Sequence, residues 1–188
     1  PIERLQEVLN NTNKMVNQSL MFIELSLANM SMRKIQTDTF ITISMLETIN
    51  TAIDEYPFQG NERTFVHWDP DQQTDFNYLG NLILTKHIFF NLIKNALYFI
   101  KAERKGEITI QLIQNGKENR VIFRDTAKGM DDETLSHLFE SFYTNTQFGT
   151  GIGLAYCKMV MEAYEGDIVC HAEEGKLTEF TLIFPKLG

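Results

Sequence analysis

Cysteine is nearly absent from this chain: Cys157 and Cys170 are the only two in 188 residues. Neither lies in a CxxC pair or beside clustered histidines, so no disulfide framework or zinc site is indicated, and buried free thiols in a reducing compartment are expected. Proline is scarce and no segment is of low complexity, which excludes collagen-like and linker-like chains. Basic residues are in deficit, 17 Lys and Arg against 25 Asp and Glu, for a net charge of -8. Such a surface repels a nucleic-acid backbone and an anionic bilayer, so a bound polyanion must be held by local dipoles or a metal. Long apolar runs are missing too: Leu20-Met21-Phe22-Ile23 falls far short of the ~20 residues of a membrane span. The opening Pro1-Ile2-Glu3-Arg4 shows no secretory leader, and the lack of an initiator Met reads as the start of a fragment.

What is present suits one soluble globular core: 43% hydrophobic and 11% aromatic residues, enough for a single domain and a short extra element. Residues 1 to about 30 carry Ile2, Leu9, Val16, Ile23 and Met30 at seven-residue spacing. That period predicts a coiled-coil-type helix seeking a partner helix. A second helix is expected over Ile41 to Asp54, stopped near Pro57. Short strands are expected at Thr64 to Trp68 and Phe76 to Leu79 around an Asp-Pro-Asp turn. After Gly80 comes a long helical pattern to about Lys105. A hairpin follows, Ile108 to Ile113 and Arg120 to Phe123, joined through Asn115-Gly116. Helices at Asp131 to Phe142 and Ile152 to Tyr164, then strands at Asp167 to His171 and Thr178 to Phe184, complete the pattern. Strands and helices interleave without strict βαβ alternation, which predicts an α/β protein: one sheet covered by helices on one face.

Three segments carry chemistry. In the long helix, His87, Asn91 and Asn95 stand at i, i+4 and i+8, a polar stripe on an otherwise apolar helix. Asparagine is a mediocre helix former, so two on one face ask for a reason. Either they hydrogen-bond a neighbouring loop, or an amide oxygen serves as a hard ligand for a magnesium ion that already carries phosphates. Asp125-Thr126-Ala127-Lys128-Gly129 ends a predicted strand. The aspartate either caps the following turn or accepts a hydrogen bond from an exocyclic amine, with Gly129 letting the backbone lie against a flat ring. Gly149-Thr150-Gly151-Ile152-Gly153-Leu154 opens a helix: a flexible turn, or backbone N–H groups and a helix dipole offered to an anion. It is not a Walker loop, and no βαβ unit surrounds it as a dinucleotide fingerprint requires.

Taken in order, the Asn-x-x-x-Asn of Asn91 and Asn95, the Asp-x-x-x-Gly of Asp125 and Gly129, Leu138 to Thr144, the Gly-Thr-Gly-Ile-Gly-Leu of 149–154, and Gly175-Lys176-Leu177-Thr178-Glu179-Phe180 resemble the N, G1, F, G2 and terminal boxes of sensor histidine kinases. Residues 91–100 and 151–158 are also similar to quorum-sensing autoinducer sensor kinases of the CqsS type. The resemblance covers residues 38–188 and implies the two-layer α/β sandwich of the gyrase, Hsp90, histidine kinase and MutL superfamily, a Bergerat-type ATP-binding fold. It makes residues 1–37 the remnant of a dimerisation and histidine-phosphotransfer helix. It implies a protein-histidine kinase with ATP and Mg²⁺ as cofactors. Asn91 and Asn95 are then catalytic, with Asn95 the metal ligand. Asn91, Asn95, Tyr98, Asp125, Gly129, Met130, Phe142, Thr144, Gly149, Thr150, Gly151, Ile152, Gly153, Leu154 and Thr178 hold the nucleotide, and residues 142–148 form a short lid. The implied partners are the upstream histidine helix, a response-regulator receiver domain and a second copy in a homodimeric parent. The implied place is the cytoplasmic part of a membrane-anchored protein, with neither nucleic acid nor direct membrane contact.

Departures from the family pattern are specific. Ala127 stands where a first G1 glycine is usual, Tyr98 replaces a frequent Lys and Gln147 a frequent lid Lys. Lys94, Lys101 or Lys128 are candidates to compensate. Superfamily hydrolases carry a Glu at the position of Asn91, and an amide cannot act as that base. Transfer to an imidazole depends mostly on positioning and charge stabilisation, so Asn91 favours a kinase over an ATPase. None of His67, His87, His137 and His171 has the acidic neighbour expected of a phosphoacceptor, which puts the acceptor upstream of Pro1. The alternatives are a superfamily ATPase and a non-catalytic module that kept the fold.

Overall fold

A computed structural model describes residues 35–144 and 151–187. The heptad segment, the far part of the expected lid with Gln147, and Gly149 and Thr150 lie outside the described residues. Strands β1 (Ile41–Ser44) and β3 (Asn77–Gly80) form a two-stranded antiparallel sheet. The main sheet has the order β2 (Val66–His67), β4 (Ile108–Gln114), β5 (Glu118–Asp125), β7 (Leu177–Pro185), β6 (Asp167–Glu173). It is mixed, because β2 runs parallel to β4 while every other pair is antiparallel. Helices α1 (Met45–Glu55), α2 (Leu82–Glu103), the short α3 (Asp132–Ser136) and α4 (Gly153–Ala163) complete the domain. The expected α/β architecture is what is found. No helix among the described residues is long and apolar enough to cross a membrane.

Period-two burial along β5 and β7 shows how the sheet meets the helices. Val121 and Phe123 face Leu182 and Phe180 across the ladder, all four buried, and Phe184 continues the row. Their opposite numbers on α2 are Ile88, Phe89, Leu92, Ile93, Ala96 and Ile100, also buried. Each fully buried Ile, Leu or Phe contributes ~1.5–3 kcal/mol from apolar surface removed from water. α2 begins where Asn81 accepts hydrogen bonds from Ile83 N and Leu84 N, and it ends at Arg104, in the left-handed region with φ 54°. α4 packs on it antiparallel: Gly153 lies against Asn91, the Tyr156 hydroxyl donates to Leu84 O, and the Tyr164 hydroxyl donates to Asn81 O at 3.0 Å.

Three sequence expectations are corrected. Ile41 to Ser44 is a strand, not the first turn of a helix. Ile43, Leu46, Ile49 and Ile53 do share a helical period, but Ile41-Thr42-Ile43 is β-branched throughout and finds a ladder partner in β3. Ser44 then caps α1, its hydroxyl accepting from Glu47 N at 3.0 Å while donating to Asp75. The two short strands around Asp69-Pro70-Asp71 do not pair with each other. They join different sheets, and the expected helix from Asp131 closes as α3 after Ser136.

Candidate functional site

The inner face of the sheet turns polar at one end. Asp125 and Thr178 stand directly opposite each other on β5 and β7, each about 5% exposed or less, the next pair on the same face after Phe123–Phe180. A carboxyl in that position is deprived of water. Burial therefore raises its pKa from 3.8 to about 6, against the lowering effect of hydrogen bonds from Ala127 N, at 3.1 Å, and from Thr178. Neither bond uses the full acceptor capacity of two carboxyl oxygens, which leaves Asp125 able to receive another donor.

The loop after Asp125 is gripped from two sides. Thr126 N donates to Glu107 O, and Glu107 N donates to the Thr126 hydroxyl. Gly106 lies so near that a Cβ there would come within 3.0 Å of Ala127 N. On the other side Gly175 N donates to Lys128 O. Gly129, at φ +66°, approaches the β6–β7 turn so closely that a Cβ would lie 1.9 Å from Glu173 O. Ala127 is fully buried and does not need positive φ. The methyl that replaces a usual glycine is thus absorbed by the core, and Gly129 alone carries the left-handed turn. Met130 is half-buried and packs against the core.

Asn91 and Asn95 are half-buried on α2. Asn91 Nδ2 donates to His87 O at 2.9 Å, which fixes the amide so that Oδ1 is the atom turned towards the start of α4. There Gly153 meets it, a Cβ at that glycine coming within 2.7 Å of Asn91 Oδ1. α4 opens from buried Ile152 with no side-chain cap. Gly151 has φ +67° and accepts a hydrogen bond from Phe142 N at 2.9 Å. Phe142 has φ +70° and is 70% exposed, so its ring is presented to solvent; Thr144 is exposed and Leu154 half-buried. Tyr98 is 40% exposed. His87 is half-buried against Phe90, and burial followed by neighbouring Lys86 lowers its pKa.

These pieces lie along the second half of α2 and just beyond its end. Because α4 runs antiparallel to α2, its amino end meets the middle of α2 at Asn91. The loop that follows α2 folds back on Thr126 and Ala127. The polar face of α2 between those contacts carries Asn95 and Tyr98. A hard oxygen donor, a helix amino terminus without a side-chain cap and a buried carboxyl are suited in turn to a divalent cation, an anion and an amine. Gly106, Glu107 and the Glu173 carbonyl were not singled out from the sequence. Their only signal is a glycine just past a helix end, Lys105-Gly106-Glu107, which also marks an ordinary helix terminus.

Residues 80–188 match the family model described as histidine kinase-, DNA gyrase B-, and HSP90-like ATPase. The chain is 32% identical over 187 residues, 98% of its length, to the autoinducer 1 sensor kinase/phosphatase LuxN of Vibrio harveyi, covering 22% of that protein. It is 28% identical, again over 98% of its length, to the CAI-1 autoinducer sensor kinase/phosphatase CqsS of Vibrio cholerae, covering 27% of it. The chain thus spans about a quarter of the length of these relatives. Among solved structures, the Acinetobacter baumannii histidine kinase AdeS superposes with a TM-score of 0.72 at 15% identity, over 94% of this chain and 82% of that one. The mycobacterial sensor histidine kinase MprB superposes with a TM-score of 0.62 at 18% identity, over 78% and 97%. At those identities the likeness speaks for the fold.

Proposed function

The chain belongs to the histidine kinase-, DNA gyrase B-, and HSP90-like ATPase family, and from that premise we propose that it is the catalytic ATP-binding part of a two-component sensor histidine kinase. Its relatives include kinases named as autoinducer sensors, which makes a quorum-sensing parent the reading to test first. The observation that carries the proposal is the meeting of Asn91 with Gly153, where an amide oxygen and the amino end of α4 face the same space.

In this reading Asp125, assisted by Thr178, accepts the exocyclic amine of adenine, and Gly129 and Met130 border the ring. Gly151, Ile152, Gly153 and Leu154 offer backbone N–H groups to the triphosphate, with Gly149 and Thr150 as their neighbours in sequence. Asn95 would hold Mg²⁺, which when bound neutralises phosphate charge, and Asn91 assists near the phosphates, its Oδ1 suited to the cation or a water on it rather than to a phosphate oxygen. Thr144 stands at the near end of the loop that precedes Gly151. Asn91 cannot take a proton from water, so phosphoryl transfer to an imidazole is favoured over hydrolysis. The acceptor lies on an upstream dimerisation helix, and residues 1–37 are the remnant of the same dimerisation and histidine-phosphotransfer domain. A homodimeric parent, anchored in the membrane with this part in the cytoplasm, would pass the group on to a receiver domain.

The test is binding of a fluorescent ATP analogue with Mg²⁺ to the wild-type chain and to Asn95→Ala. It is paired with transfer of labelled phosphate to a separately supplied helix that bears the histidine. Binding lost in Asn95→Ala, with no stable phosphohistidine formed on the isolated chain, is the expected result. Sustained multiple-turnover hydrolysis by the chain alone would point to an ATPase instead.

A further inference from the structure

The main sheet has two faces, and the helices pack on one. Ile110, Val121, Phe123, Phe180, Leu182 and Ile168 turn towards the helices and are buried. Their alternating neighbours on β4, β5, β7 and β6 turn the other way, and none of those is buried. The wet face of an antiparallel sheet is ordinarily polar. Here Ile122 and Ile183 are half-buried, and Ile113 and Val169 are 41% and 44% exposed. Four β-branched apolar side chains thus share the face turned away from α2 and α4.

The ladders arrange this face in rows. Thr109, Arg124, Glu179 and His171 cross β4, β5, β7 and β6 in one row, and Gln111, Ile122, Thr181 and Val169 in the next. Ile113, Arg120, Ile183 and Asp167 make the third. The centre line runs between β5 and β7. Arg124 stands on one side of it and Glu179 on the other, with Arg124 Nε 2.7 Å from Glu179 Oε2. Arg120, on the side of Arg124, donates to Glu118 along β5, and Asp167, on the side of Glu179, accepts from Lys158 of α4.

A second copy turned over about an axis along that line brings β5 onto the partner's β7 at the same level. Arg124 then faces the partner's Glu179, and Glu179 faces the partner's Arg124. Ile122 lies on the partner's Thr181, and the stem of Arg120 lies on the partner's Ile183. The other axis in the plane of the sheet, across the strands, sets Arg124 against the partner's Arg120 and is repulsive.

We propose that this face is a self-association surface, on which two copies pack sheet against sheet with strands aligned about a two-fold axis between β5 and β7. Four strands about 4.8 Å apart and seven residues long cover roughly 450 Å² per copy. That is about half of what a standard stable interface buries on each side, so the pair is weak and forms as concentration rises. Ile113 and Asp167 stand at the margins, where sheet twist carries the two faces apart. The surface is on the opposite side of the sheet from Asp125, and the inference does not depend on the proposed function.

The test is sedimentation velocity of the full chain without nucleotide, from low- to high-micromolar concentration. Arg124→Glu and Glu179→Arg are run alone and mixed in equal amounts. Whatever residues 1–34 contribute to association is common to every sample. Each reversal sets like charges together at two places, so alone it should associate at least about tenfold more weakly than wild type. In the mixture both contacts are again opposite in charge, and association should return to near the wild-type strength. Ile122→Lys, in the middle of the apolar row, should remove association by a separate route, and thermal melting shows that each variant is folded. A wild-type chain that keeps one mass across the range, a mixture no better than the single reversals, or an Ile122→Lys chain that associates like wild type would each overturn the inference.

Discussion

Replacing Asp125 by Asn should make the nucleotide-free protein more stable and the nucleotide site worse. Asp125 is about 5% exposed, and burial moves its pKa from 3.8 to about 6. A carboxyl with a raised folded pKa holds its proton more tightly in the folded state. Its contribution is fully present below 3.8 and is lost as the pH rises through about 6. At about 1.4 kcal/mol per tenfold change in proton affinity, ionisation costs the folded protein ~3 kcal/mol above pH 6, an upper bound. Asn removes that cost, can still accept from Ala127 N, and keeps the shape. In a domain of this size, ~3 kcal/mol corresponds to roughly 6–12 °C in Tm. Calorimetry without nucleotide at pH 8 should therefore show Asp125→Asn melting above wild type, the gain falling to about half by pH 5. The same variant should bind the ATP analogue at least ~10-fold more weakly, since a lone amide loses the charge-assisted bond. Wild-type affinity should itself rise with pH through about 6. A variant that melts no higher at pH 8, or whose gain does not depend on pH, would show that the carboxyl is not strained by burial and would undo the reasoning.

Three further outcomes follow from close contacts. Gly153→Ala places a methyl 2.7 Å from Asn91 Oδ1, so the amide must turn; calorimetric titration should show weaker nucleotide binding with Tm little changed. Gly129→Ala must hold φ +66° and push against the Glu173 carbonyl, so denaturant unfolding should register a loss of at least ~2 kcal/mol. Ser44→Ala removes the cap of α1, and the same measurement should show a cost of about 1 kcal/mol with nucleotide binding untouched. A Gly129→Ala variant as stable as wild type, or a Ser44→Ala variant that loses nucleotide, would contradict the packing described.

Much of this was readable in the residues because the signals were local. Asn115-Gly116 between alternating strands marks the β4–β5 hairpin, and the apolar stripe of α2 is strong enough to give its length to within a few residues. The start of α1 misled because Ile43 satisfies two periods at once, and only a partner strand from beyond the intervening loop decides between them. In the site, the residue types and their order point to Asn91, Asp125 and the glycines. They do not disclose that Ala127 sits in the core, that Lys101 is tied to Glu62, or that Glu173 offers its carbonyl to Gly129. Those are facts of distance between remote segments, and no spacing in the chain encodes them. Phe142 is similar: its sequence position discloses neither the bond from its backbone N to Gly151 O nor the exposure of its ring.

The pairing of β5 with β7 sets Asp125 beside Thr178 by the same ladder that sets Phe123 beside Phe180. Side chains alternate along a strand, so a one-residue slip of β5 would turn Asp125 and Phe123 to the opposite side of the sheet together, and a slip of β7 would do the same to Thr178 and Phe180. Ligand recognition and core assembly are therefore inspected in a single step: a chain that has zipped its strands wrongly has no hydrophobic interior and no place for an amine. On the proposed function, the molecules able to take nucleotide are, by construction of the sheet, the ones that have finished folding.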